Sequence, residues 1–311
     1  MSFIVLHFVS MSKIIVFIVL FSSFFMISSL SRAEETTDTA WLIPEKADYS
    51  VLKNTGTVQV SQIINPLTIR LNDNRIIQLT GINIPDLTPY DSGDIAVAVQ
   101  EQLEKLLNGK KAILYQTTKT DKGRSNRMGY QLAHIETSAA QPADGENVQN
   151  LLIQGFLLMN GLVRARPNPR NPEMAAQMYA LEQIARAKKI GLWDPEKYPA
   201  YQILPTGSTE IPRNSFAIVE GTVKSAAQIK NTTYLNFGNN WRDDFTIGIE
   251  SAVRRQILKE KPDMNLQALG GKNIRVRGWV EDYNGAFIRL EHPSLIEFLP
   301  DDAEATNLGN D

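Results

Sequence analysis

The 311-residue chain contains no cysteine. That excludes disulfides, thiolate zinc or iron–sulfur centres and a cysteine nucleophile. Histidine is almost as scarce. His7, His134 and His292 stand far apart, so neither a histidine-rich metal centre nor a helical H-x-x-x-H pair can be assembled. A Ser-His-Asp site would have to rest on one isolated histidine. Nor does either charge dominate: 32 lysines and arginines face 34 aspartates and glutamates, a formal net of −2. Tight, sequence-independent binding of a polyanion calls for a basic footprint, which this chain lacks as a whole. Hydrophobic residues make up 43 % of the chain and charged residues 21 %, the proportions of globular material. The length fits about two domains.

Long apolar runs are confined to the start. From Met11 the chain reads as one lysine (Lys13), an apolar run from Ile14 to Leu30, then Ser31-Arg32-Ala33. This is the pattern of a signal peptide cut before Glu34 and implies export to the periplasm or beyond the cell. The rival is an uncleaved membrane anchor over Phe3 to Leu30, which would be the chain's one membrane contact. Met11 competes with Met1 as the true start. The body after Ala33 must be stable without disulfide staples, and its charge is uneven. Residues 34–50 carry one base and five acids, residues 51–203 seventeen bases and fourteen acids, and residues 204–311 twelve bases and fifteen acids.

A polar lead over 34–50 is followed by alternation of apolar and polar residues from Gly56 to Ile63, from Leu67 to Leu71 and from Arg75 to Leu79, with Asn72-Asp73-Asn74 as a hairpin turn. A helix carrying Ile95, Val97, Val99, Leu103, Leu106 and Leu107, capped by Asp91 or Ser92, stops at Asn108-Gly109. Strands are expected at Lys111–Tyr115 and Met128–Ile135, and a loop at Thr137–Glu146. Further helices are expected at Val148–Met159 and Pro172–Lys189, the latter ended by Gly191. The proline-bearing stretch 201–215 reads as a linker between a domain at 51–200 and one at 216–299. The second has strands at Phe216–Val223, Thr233–Phe237, Phe245–Ile249, Lys272–Val280 and Gly285–Glu291, and a helix at Ala252–Glu260. An acidic tail, 300–311, is expected to be disordered. The fold class is therefore mainly β with helices (α+β): two five-stranded barrels of OB type, the first with about three helices.

Several landmarks in the first domain occur in a familiar order: Gly56-x-Val58-x-Val60, Leu79-x-Gly81-Ile82-x-x-Pro85, Gly129-x-x-Leu132-Ala133-x-Ile135, Asn160-Gly161-Leu162-Val163, and Ala187 ahead of Gly191-Leu192-Trp193. Over about 150 residues this resembles the staphylococcal-nuclease-like (thermonuclease) family. Enzymes of that family hold calcium with carboxylates, activate water with a glutamate and clamp phosphate with two arginines. Carried onto this sequence, the calcium aspartates fall on Leu67 and Asn83, the arginines on Gln78 and Tyr130, and the glutamate on Asp86. Each change removes charge or reach. The resemblance therefore implies a retained scaffold without the family's catalytic site, needing no cofactor.

The expected function is that of an exported, non-catalytic binding or scaffold protein for nucleic acid or protein. The alternative is a calcium-dependent nuclease using Asp86, Asn83 and an arginine of the 124–127 turn, reached if Asp121-Lys122-Gly123-Arg124 takes the place of the Gly129 register. Candidate binding residues in the first domain are Arg124, Arg127, Arg164 and Arg166. In the second domain, which looks like the OB-type modules that follow nuclease-like domains, they are Tyr234, Trp241, Arg242, Arg275 and Arg277. A basic groove interleaved with aromatics would hold a single strand by stacking. Against that, Phe237, Phe245 and Trp279 also suit a core.

Overall fold

The computed structural model describes residues 41–87, 93–120, 123–138, 150–240 and 243–300. The expected leader, the caps Asp91 and Ser92, most of the 137–146 loop, Trp241, Arg242 and nearly all of the acidic tail lie outside them. The fold is α+β and mainly β, with four α-helices among the described residues.

The first sheet is built from β1 (Leu52–Asn65), β2 (Thr68–Leu71), β3 (Ile76–Leu79), β5 (Lys111–Thr117), β6 (Gln131–Ser138) and β7 (Asn150–Leu152). A two-residue β4 (Ile82–Asn83) lies outside it. The long β1 pairs with β2 through one half and with β5 through the other, in separate registers, and β2 pairs with β3. Strand β6 pairs with β5 antiparallel and with β3 parallel, Ile77 opposite Gln131 and Leu79 opposite Ala133. That parallel pairing closes a five-stranded β-barrel. Its interior is the alternating apolar set read from the sequence, including Val60, Ile69, Ile77, Leu114 and Ile135.

Helix α1 (Asp94–Leu107) packs Ile95, Val99, Leu103 and Leu107 on this core. Helix α2 covers Ile153–Met159 only. The residues before it, expected as its first turn, pair with β6 as β7, an assignment that apolar periodicity alone could not make. Strand β8 (Arg164–Ala165) pairs with β4, and α3 (Ala175–Lys188) follows. At the join of α2 and β8, Gly161 has φ +64° and its carbonyl accepts the Leu192 N–H at 2.7 Å. A Cβ on Gly161 would collide with the Ile190 carbonyl, so this crossing needs glycine.

The core also contains polar groups. Gln154 satisfies the Ile135 N–H and the Ala133 carbonyl, at 3.1 and 2.9 Å. His134 is fully buried, and neither ring nitrogen has a hydrogen-bond partner. Burial pulls its pKa down to about 4.

The 201–215 stretch, expected as a linker, contains β9 (Leu204–Pro205) and buries Ile211. The second sheet comprises β9, β10 (Ser215–Thr222), β11 (Ser225–Ile229), β12 (Thr232–Asn236), β13 (Thr246–Glu250), β14 (Asn273–Asp282), β15 (Ala286–Arg289) and β16 (Ile296–Phe298). Its order is β11-β12-β13-β15-β14-β10-β9, with β16 against β14. The β13–β15 pairing is parallel, like β3–β6. Helix α4 (Ser251–Glu260) packs Val253 and Ile257 into a second hydrophobic core.

Both cores belong to one compact unit beginning at Trp41. Alternation along β10 joins them: Ala217 and Val219 enter the second core and Ile218 the first. Among the described residues no helix is long and apolar enough to cross a membrane.

Candidate functional site

Three of the five positions marked by the nuclease resemblance, Leu67, Gln78 and Asn83, line one cleft of about 420 Å³. Leu67, Gln78, Thr80 and Asn83 come from the first barrel, Arg166 and Asn168 from the loop after β8. Phe216, Trp279, Glu291 and Leu295 come from the second half of the chain. Phe216 and Trp279 are direct partners across β10 and β14. The second sheet therefore forms one wall of the cleft.

Each marked residue has a different environment. Leu67 offers no ligand atom. The Asn83 Oδ1 accepts the Arg164 Nη2 at 2.9 Å and its Nε at 3.3 Å. A guanidinium on that oxygen repels a cation at the same place, so the residues present do not fit calcium as the family holds it. Among the described residues no three histidine, aspartate or glutamate side chains converge as metal ligands. The Gln78 Oε1 accepts the Asn126 Nδ2 at 2.7 Å, and the Asn126 Oδ1 accepts the N–H groups of Met128 and Tyr130 at 2.9 and 3.0 Å. Gln78 thus anchors the turn before β6. Tyr130 sits in that turn, half-buried, and is not among the residues lining the cleft.

Asp86 points elsewhere. Its Oδ2 accepts the Ile95 N–H at 2.8 Å and its Oδ1 the Ala96 N–H at 3.0 Å. Both are unsatisfied donors of the first turn of α1, so the carboxylate caps the helix and meets the positive end of its dipole. The expected cap was a residue next to the helix in sequence. The observed one comes from nine residues upstream of Ile95.

The expected binding arginines divide into committed and available groups. Arg277 is fully buried. Its Nη1 donates to the Glu182 Oε1 at 3.0 Å and the Ala165 carbonyl at 3.1 Å, its Nη2 to the Glu182 Oε2 at 2.5 Å and the Glu297 Oε1 at 3.3 Å. Tyr179 stacks on it at 4.3 Å. Burial opposes its charge, but Glu182, with Tyr179 and Glu297, outweighs burial and holds its pKa above the ordinary arginine value. Arg275 bonds Glu220 at 2.7 Å and Glu297 at 3.5 Å. Arg164, also buried, holds Asn83 and the Phe216 carbonyl, and burial lowers its pKa to about 10. Arg124 donates its Nε to the Thr117 carbonyl at 2.9 Å. Arg166 and Arg127 are exposed, the former lying 5.0 Å over the Phe216 ring at the cleft. The expected groove containing Arg275 and Arg277 is therefore a seam between the two halves of the molecule. Tyr234 lies apart from both, in a separate pocket on the second sheet.

Sequence reasoning missed Glu182 and Trp279. Glu182 sits in α3 four residues before Arg186, the spacing of a surface pair, yet its side chain is fully buried. Trp279, which suited a core, is 51 % exposed at the cleft lip. Its alternation with Arg277 and Arg275 along β14 was the available signal, since all three share one face. No protein-family model matches the chain, and no curated protein matches it significantly.

Proposed function

We propose that this chain is an exported, non-catalytic binding or scaffold protein of thermonuclease-like descent, built from two OB-type barrels. The ordered landmarks of the first domain support the descent. The second barrel is supported by strand order: only Val223 and Lys224 separate β10 from β11. Counted as one bent strand, they complete a ring β10/β11–β12–β13–β15–β14, the same order as β1–β2–β3–β6–β5.

One observation carries the non-catalytic reading. Asp86, the one carboxylate retained from the family's set, is bonded to the first turn of α1. A base must reach the water it activates. The rearranged nuclease would also need an arginine beside Asn83 from the 124–127 turn. Arg124 is held on Thr117, and Arg127 lines a neighbouring pocket with Arg170 and Arg289. The cleft keeps an exposed tryptophan, amides and Arg166, groups that bind an extended chain of nucleic acid or protein.

The test is a gel of the protein from Glu34 onward with labelled single-stranded DNA, in calcium and in EDTA. The expected result is intact DNA in both lanes, retarded if nucleic acid is the ligand and unshifted if the partner is a protein. Calcium-dependent cleavage that disappears in Asp86→Ala would overturn the reading.

A further inference from the structure

The second sheet carries a pocket of about 380 Å³ away from the cleft, lined by Ala227, Ile229, Tyr234, Asn236, Thr246, Tyr283, Asn284 and Phe287. That volume is within the ligand-pocket range of about 300–1,000 Å³. Its floor is the Phe287 ring, which lies on Gly248 where any Cβ would collide with it. The Tyr283 ring stands edge-on to Phe287 at 5.4 Å and 67°. Tyr283 is 55 % exposed and Ile229 60 % exposed, so the rim presents two large apolar side chains to solvent. The turn that raises Tyr283 is built on left-handed Asn284 (φ +51°) and Gly285 (φ +90°).

Polar groups sit beside the rings. The Asn236 Oδ1 accepts the Thr246 hydroxyl at 3.3 Å, and its Nδ2 reaches the Ser225 Oγ at 3.4 Å, which fixes the amide while leaving donor and acceptor capacity. Among the described residues none that lines the pocket is ionisable to a charge at neutral pH. The nearby cation Arg289 is engaged with Glu250 at 2.7 Å and Glu281 at 3.6 Å. Charge complementarity therefore selects an uncharged ligand and disfavours a phosphate backbone, whose binding rests on cations. A saccharide meets these terms, since its C–H face stacks on an aromatic ring while its hydroxyls exchange hydrogen bonds with amides and hydroxyls such as those of Asn236, Asn284 and Thr246.

We propose that this pocket is a binding site for neutral saccharide units, with Tyr234 and Tyr283 as stacking residues. The inference is independent of the proposal for the cleft. The test titrates the full-length protein with cellotetraose, maltotetraose and triacetylchitotriose, and with oligothymidylate, following tyrosine resonances and heats of binding at low and high salt. At least one saccharide is expected to bind in the low-millimolar range or tighter, without salt dependence. Tyr283→Ala should weaken it about ten-fold or more and Tyr283→Trp should restore it. The exposure of Tyr283 leaves folding intact in both variants. Three results would overturn the proposal: no binding of any of the three saccharides, binding indifferent to Tyr283→Ala and Tyr234→Ala, or salt-dependent binding of oligothymidylate in their place.

Discussion

The seam between the two halves of the molecule and the outer face of the second sheet use side chains in opposite ways. The seam brings Arg277, Arg275, Arg164, Glu182 and Glu297 together and engages them with one another or with amide and carbonyl groups, leaving Arg166 as the exposed cation of the adjoining cleft. The outer face has no charge in its pocket and exposes aromatic and aliphatic groups. An arginine-rich sequence is therefore a poor guide to where a ligand binds, because buried structure competes for the same guanidinium groups.

The contrast breaks first, and most severely, in the seam. Arg277→Met leaves the buried Glu182 with only the Ala165 N–H at 2.8 Å and Arg186 at 3.9 Å, and should cost about 3–5 kcal/mol in chemical denaturation. Adding Glu182→Leu should return part of that loss, since the buried charge goes while the Ala165 N–H and carbonyl lose their partners. A double variant as unstable as the single one would show that the ions are not what joins the halves.

His134 gives the next effect, through pH. Its folded pKa lies near 4, below the ordinary 6.5, so below pH 6.5 the unfolded chain takes up a proton that the folded chain refuses. Stability should fall as pH drops from 6.5 to 4, by up to about 1.4 kcal/mol per pH unit from this residue, and level off below. Denaturation of His134→Leu at the two ends of that window should show the slope reduced.

Asp86→Ala should cost about 1 kcal/mol through the lost cap of α1. Measured beside the DNA gel, it separates a structural carboxylate from a catalytic one. The smallest effects belong to the surface. Trp279→Ala at the cleft lip and Tyr283→Ala on the outer face should each change stability by no more than about 0.5 kcal/mol, so that any loss of binding is read cleanly.

Much of the first barrel was legible in the sequence. Alternation from Gly56 to Leu79 placed three strands, and the apolar residues between Ile95 and Leu107 placed α1, although Val97 among them faces solvent. Where apolar residues ran without alternation, as before Met159, helix and strand could not be told apart. β11 (Ser225-Ala226-Ala227-Gln228-Ile229) is largely exposed and does not alternate, and β16 is three residues long, so neither carried a pattern. The cleft was legible as a set of positions, because Leu67, Gln78 and Asn83 do converge. What each was bonded to was not: Gln78 on Asn126, Asn83 on Arg164 and Asp86 on α1 are choices made by tertiary neighbours. Glu182 shows the same limit. Its helical spacing matches an exposed residue, and only packing against β8 and β14 buries it.

The Arg277–Glu182 pair also sets a timetable for synthesis. The two residues are 95 positions apart. At the usual elongation rate of about 5–20 residues per second, Glu182 emerges roughly 5–20 s before its partner exists. During that interval α3 holds a carboxylate whose native place is dry and whose two-pronged partner has not been made, with Arg186 at 3.9 Å as its nearest cation. Completion of the N-terminal half is thereby made to wait for β14, and a chain truncated before Arg277 should be left unfinished at α3 rather than as a free-standing barrel.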